Sequence, residues 1–240
     1  MHAAAPCATT GVVATFCLIH GQWHDASCWD PVVASLRAAG HEALAPDMPF
    51  DDPRAGYAQR AGPAIDALSG VEAPIVVGHS IASAEAALVA AERPVALLVH
   101  ICPRFGGFAT PAEAPAAFRT GFPFPPRDAL GRTVWDPQAA VEVMYRRLQR
   151  DTALALARRL RPGAAPVGPY PLERHPDVPA ALVYALDDEF FTPEWERYVA
   201  RELLGVEPIA IAGGHFPMAE GPGSLAGLLD RLASDASPLG

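Results

Sequence analysis

The chain has 240 residues, 50% of them hydrophobic and 19% charged, with 18 basic and 27 acidic residues for a net charge of −9. That much apolar material can build a sizeable core in one large domain or two small ones, and excludes a disordered chain. A chain this acidic does not wrap a phosphate backbone, so no nucleic-acid partner is expected.

Residues 1–10 carry no basic run, and the apolar stretch 12–19 is too short to cross a bilayer. The expectation is a cytoplasmic protein with no membrane partner. Apolar runs at 12–19, 42–45, 74–77, 95–101, 180–186 and 208–211 predict strands; the longer ones are nearly continuous rather than alternating, the mark of burial on both faces. Between most of them lie helical patterns. The first opens at Asp30-Pro31 and stops at Gly40; others cover about 57–68, 81–91, 194–204 and 224–233. Strand alternating with helix predicts an α/β fold of three layers, a mostly parallel sheet of about six strands flanked by helices.

The alternation breaks between 103 and about 179, where no strand is predicted. This stretch holds helical segments at 137–150 and 152–160 and five phenylalanines, Phe105, Phe108, Phe118, Phe122 and Phe124. It reads as a helical cap, residues 103–175, inserted into a core formed by 1–102 and 176–240. From 103 to 174 it carries 11 arginines against 6 acidic residues. It is therefore read either as a basic cap docking on an acidic core, or as a landing site for an acidic carrier protein or anionic ligand.

Every basic residue is arginine, and asparagine is absent too. Schiff-base, Walker-A and Ser-Lys chemistry and N-glycosylation are thereby excluded. Cys7, Cys17, Cys28 and Cys102 are irregularly spaced and read as reduced, structural residues. His20 and His24 are four apart but lie in a post-strand loop with no completing ligand set, so no metal site is expected.

The strongest local signal is Val76-Val77-Gly78-His79-Ser80-Ile81-Ala82, a buried strand followed by a turn and a helix. A hydroxyl on such a turn stands clear of the backbone. The helix N-terminus behind it offers free N–H groups to a developing oxyanion, the Ile81 amide first. His20-Gly21-Gln22-Trp23 follows the first strand, where a second oxyanion amide belongs; Gln22 is the preferred donor and Trp23 the alternative. Asp187-Asp188-Glu189 and Gly213-Gly214-His215-Phe216 follow two later strands. A serine, an acid and a histidine thus lie past strand C-termini, where open α/β sheets bind ligands.

On HGQW, the Asp47-Met-Pro turn, GHSIA, DDEFFTPEW and GGHFP, the chain resembles the α/β-hydrolase-fold family over nearly its whole length, about 16–232. It is most similar to the small branch of plant methylesterases and hydroxynitrile lyases and their actinobacterial-looking relatives. The resemblance implies a serine hydrolase that needs no cofactor and cleaves a small hydrophobic ester, thioester or lactone. The alternatives are hydroxynitrile-type cleavage, a cyclisation, or a non-catalytic ligand receptor. Ser80 would be the nucleophile, His215 the base and Asp188 the acid that orients it. The resemblance favours Asp188 over Asp187, because the acid of that family typically heads a D-x-apolar-apolar run, which Asp188-Glu-Phe-Phe matches. Trp23, His79, Phe105, Phe122, Phe124 and Phe216 are the candidate substrate-binding side chains. The protein is expected as a monomer or homodimer.

Overall fold

The computed structural model describes residues 13–105 and 113–236. Cys7 and Phe108 lie outside the described residues. Among the described residues six strands form one sheet: β1 (Thr15–Ile19), β2 (Glu42–Leu44), β3 (Ile75–His79), β4 (Leu97–Ile101), β5 (Ala180–Ala185) and β6 (Ile209–Ile211). They pair in the order β2-β1-β3-β4-β5-β6, and every pair is parallel. The expected architecture is found, with the sheet parallel throughout.

Period-2 alternation divides the strand side chains between two cores. Phe16, Leu18, Ile75, Val77, Leu97, Val99 and Ile101 face one layer, while Cys17, Ile19, Val76 and Leu98 face the other. The first layer contains α1 (Asp30–Ala38) and α8 (Pro222–Ala236); the second contains α2 (Tyr57–Ala67) and α3 (Ser83–Glu92). Helix starts follow the capping chemistry of the sequence. Pro31 sits in the first turn of α1, and Gly40 takes the positive φ of 96° beyond its end. In α6 (Pro193–Tyr198) the Thr192 hydroxyl accepts the Trp195 N–H at 3.1 Å.

Two helices depart from the predicted spans. The one expected over 194–204 changes after Tyr198 into a π-helical turn, Val199–Leu203. The segment expected over 137–150 ends early as α4 (Pro137–Met144), and the second expected segment, 152–160, is found as α5 (Arg150–Ala157). The chain between them carries Arg146 and Arg147 to acidic partners on the β5 loop.

Between β4 and β5 the chain makes a long insertion that contains α4 and α5. Its buried Phe122, Trp135, Met144 and Tyr145 join the same cluster as Phe16 and Leu18, so it shares the sheet's core. Its arginines pair with acids of the strand loops: Arg159 with Asp25, Arg161 with Asp47, Arg146 with Glu189 and Arg147 with Asp187. The pairs on Asp25, Asp47 and Asp187 are partly or largely exposed and contribute at most about 1 kcal/mol each, so they orient the insertion more than they hold it. Among the described residues no helix is long and apolar enough to cross a membrane, and Cys17, Cys28 and Cys102 are free thiols.

Because all strands run the same way, the turns after β1, β3, β4, β5 and β6 meet at one edge of the sheet.

Candidate active site

Three residues at that edge have positive φ without being glycine: Trp23 after β1 (70°), Ser80 after β3 (55°) and Cys102 after β4 (46°). Left-handed backbone at such residues costs about 1–3 kcal/mol each and persists only where packing imposes it. At Ser80 the imposing contacts are visible. The turn runs into a short 3-10 segment, Ser80–Ala82, and then α3. A Cβ on Gly78 would lie 2.7 Å from Ala86 Cβ and 2.8 Å from the Ala82 carbonyl oxygen, so only glycine allows the helix this close to the strand. The Ser80 carbonyl accepts the Arg104 amide at 3.0 Å, tying the turn to the end of β4.

Ser80, His215 and Asp188 form a hydrogen-bonded line. His215 Nε2 lies 3.0 Å from Ser80 Oγ, and His215 Nδ1 lies 2.7 Å from Asp188 Oδ2. A carboxylate can only accept, so Nδ1 carries the proton and Nε2 is left as the acceptor facing the serine hydroxyl. Asp188 is buried and its other oxygen accepts the amides of Phe190 and Phe191 at 2.6 and 2.8 Å. The neighbouring Asp187 points outward to Arg147 at 3.1 Å. The structure therefore brings Asp188, and not Asp187, to His215.

Gly21 seats the β1 loop against the serine turn: a Cβ there would meet His79 Nδ1 at 2.8 Å and Ser80 Cβ at 3.2 Å. The loop is held from below by buried His20, whose Nδ1 faces the Gly21 carbonyl at 2.9 Å and whose Nε2 accepts the Met48 amide at 2.9 Å. The Gln22 side chain donates to the Ala164 carbonyl at 3.2 Å, and the Trp23 indole N–H to Thr133 Oγ1 at 2.9 Å. The loop carrying both candidate amide donors is thus fastened to the insertion as well as to the sheet.

The candidate substrate-binding residues divide. Phe216 packs at 4.9 Å from the His215 ring, and Phe122 lies 4.6 Å from Phe190, which itself stacks on His215 at 4.2 Å. Trp23 meets Trp135 edge-on at 5.7 Å and Phe190 at 6.2 Å. His79 is buried, with Nε2 donating to the His215 carbonyl at 2.8 Å, and burial holds its pKa well below the usual histidine value, so it supports His215 as a neutral ring. Phe105 is packed against His100 and His175, and Phe124 is 62% exposed on the outer side of Phe118 and Phe122. Neither is brought to the serine.

Several residues here were not foreseen. Cys102 shares a tight group with Asp188 and His215, their ligand-type atoms within 4.8 Å of one another. Its thiol is fully buried, and burial, reinforced by the Asp188 charge, pushes its pKa well up. It stays protonated, which is the wrong state for a nucleophile. Glu196 is buried on α6 with no hydrogen-bond partner for either oxygen among the described residues, and its pKa is pushed well up by burial and then by Asp188. The clearest missed signal was the acid directly after Asp188: Glu189 accepts the His215 amide at 3.1 Å.

Residues 18–228 match the alpha/beta hydrolase family, and the chain belongs to it. The probable esterase PIR7A of rice (Oryza sativa subsp. indica) is 27% identical over 253 residues, spanning 91% of this chain and 96% of the rice protein. Among solved structures, the pyrethroid hydrolase PytH matches with a TM-score of 0.76 at 20% identity, over 92% of this chain and 98% of its own. The methylesterase MES16 of Arabidopsis matches with a TM-score of 0.69 at 19% identity, over 93% and 100%. The fold is that of the alpha/beta hydrolase family, shared with these solved structures.

Proposed function

We propose that this protein is a serine hydrolase of the methylesterase-like branch, cleaving small hydrophobic esters through Ser80, His215 and Asp188. The observation that carries the reading is the unbroken line from Ser80 Oγ to His215 at 3.0 Å and on to Asp188 at 2.7 Å, at the edge where all the strands end. His215 Nε2 takes the Ser80 proton as the oxygen attacks the ester carbonyl. The carbonyl oxygen becomes an anion received by the Gln22 and Ile81 amides. His215 then returns the proton to the leaving alcohol, and water repeats the sequence on the acyl-enzyme. Asp188 keeps the proton on Nδ1 and stabilises the imidazolium without accepting the proton itself. The aromatic surroundings of His215, formed by Phe190, Phe191 and Phe216 with Trp23 and Phe122 beyond, favour an apolar acyl or alcohol group. The relatives, a probable esterase, a pyrethroid hydrolase and a methylesterase, support the same substrate class.

The test is a series of p-nitrophenyl esters assayed on wild type and Ser80→Ala, together with a fluorophosphonate probe. Wild type should label stoichiometrically and prefer medium-chain esters to acetate, while Ser80→Ala should lose both labelling and turnover. Turnover that survives Ser80→Ala would overturn the acyl-enzyme route and point to His215 working as a proton shuttle.

A further inference from the structure

Two carboxylates grip the peptide that carries His215. Glu220 Oε2 accepts the Gly214 amide at 2.8 Å, and Glu189 Oε2 accepts the His215 amide at 3.1 Å. They close in so far that a Cβ on Gly214 would collide with carboxylate oxygens of both. The other oxygen of Glu189 is occupied as well: Oε1 accepts Arg146 Nε at 3.0 Å and Arg147 Nε at 3.3 Å. Arg147 also reaches Asp187 Oδ2 at 3.1 Å.

Asp187, Asp188 and Glu189 are consecutive acids, and like charges at this spacing repel. Asp188 turns inward to His215, while its two neighbours turn outward to the arginines of the insertion. The Glu189 side chain is 6% exposed, so its ion pairs are less screened than those on the open surface. One carboxylate thus joins three things: the loop that supplies the acid, the backbone that supplies the histidine, and the insertion between β4 and β5.

We infer that Glu189 is a positioning residue for the hydrolase reaction, setting the reach of His215 toward Ser80, and that Arg146 and Arg147 hold Glu189 in that position. The inference rests on the Ser80–His215–Asp188 reading above. A carboxylate that fixes backbone rather than substrate acts on the reaction step and leaves binding alone. Displacement of a reacting group by about 1 Å costs about 100-fold in rate, so the effect on kcat is large.

The experiment compares steady-state kinetics of Glu189→Ala, Glu189→Gln and the double variant Arg146→Gln/Arg147→Gln, with circular dichroism to confirm folding and Ser80→Ala as reference. Glu189→Ala should lower kcat about 10- to 100-fold with KM changed less than about twofold. Glu189→Gln keeps an oxygen for the His215 amide and should recover most of that loss; the double variant should lose several-fold in kcat. Wild-type kcat in Glu189→Ala, or a rise in KM with kcat retained, would overturn the inference. If Glu189→Ala does not fold, wild-type kcat in the double variant would do so. Ser80→Ala separates the two levels: an active Ser80→Ala defeats the hydrolase reading, whereas an inactive one beside an unaffected Glu189→Ala defeats only the role of Glu189.

Discussion

Asp187 and Asp188 are the same amino acid one position apart, and their surroundings give them opposite duties. The Asp188 side chain is 2% exposed, faces His215 and accepts two backbone amides; the Asp187 side chain is 55% exposed and faces Arg147. In the first case an amide would present a donor to the imidazole and reverse its tautomer, which costs about 10⁴-fold in kcat in triads of this kind. In the second it would remove a surface pair contributing at most about 1 kcal/mol. Kinetics of Asp188→Asn and Asp187→Asn should therefore differ by orders of magnitude, with Asp187→Asn within about twofold of wild type. The reverse order would identify Asp187 as the acid. The preference for Asp188 came from the family resemblance, whose acid heads a D-x-apolar-apolar run; in the structure the two apolar residues of that run, Phe190 and Phe191, are the ones whose amides bind it. The duty of Glu189 was not available, since its partners Arg146, Arg147 and His215 are distant along the chain and no local pattern relates them.

The strand–turn–helix unit from β3 to α3 is the element on which the site depends. Its tightness comes from small side chains. Ala82 and Ser83 are fully buried, and Gly78 faces Ala86 with no room for a methyl group. Gly78→Ala forces the helix away from the strand. Overpacking of this kind costs about 1–3 kcal/mol, and the same displacement moves Ser80 relative to His215. A lower urea midpoint accompanied by loss of fluorophosphonate labelling is expected; unchanged stability would show that the contact relaxes freely. The unit could be located from sequence because strand, glycine, serine and helix are contiguous. Helix lengths elsewhere were harder to foresee. The periodicity of 137–150 is consistent with one helix, yet α4 stops at Met144 and the next residues reach the acidic loop, a tertiary contact that no local periodicity encodes.

At the scale of the molecule, an ion pair is buried between α2 and α3. Arg60 and Glu85 are both fully buried with 3.6 Å between them, and both Glu85 oxygens lack hydrogen-bond partners. Burial outweighs the attraction of Arg60 and raises the Glu85 pKa from 4.5 to about 7. An acid whose folded value lies above its unfolded one keeps its proton longer in the native chain, so its contribution to stability falls as pH rises. Below about pH 4.5 both states are protonated and nothing is lost. Between about 4.5 and about 7 only the unfolded chain ionises, and above that range the loss is complete, about 3 kcal/mol from the shift. Urea unfolding of wild type and Glu85→Gln from pH 4 to 8 isolates this group, because Glu196 acts equally in both. The wild-type stability relative to the variant should decline across that window, and a difference independent of pH would refute the assignment.

The sequence by itself determined the layered parallel sheet, the turn that carries Ser80 and the chain order of serine, acid and histidine. Each of these is written in contiguous residues, as apolar runs of strand length, glycine at a tight approach and polar groups directly after strands. Only the tertiary structure decided which of the candidate aromatics stand near His215, that His79 supports the histidine backbone, and that Cys102, Glu189 and Glu196 surround the acid. Those relations join residues from separate strands and from the insertion. Side-chain direction and distance across such separations follow from packing, and no local periodicity encodes them.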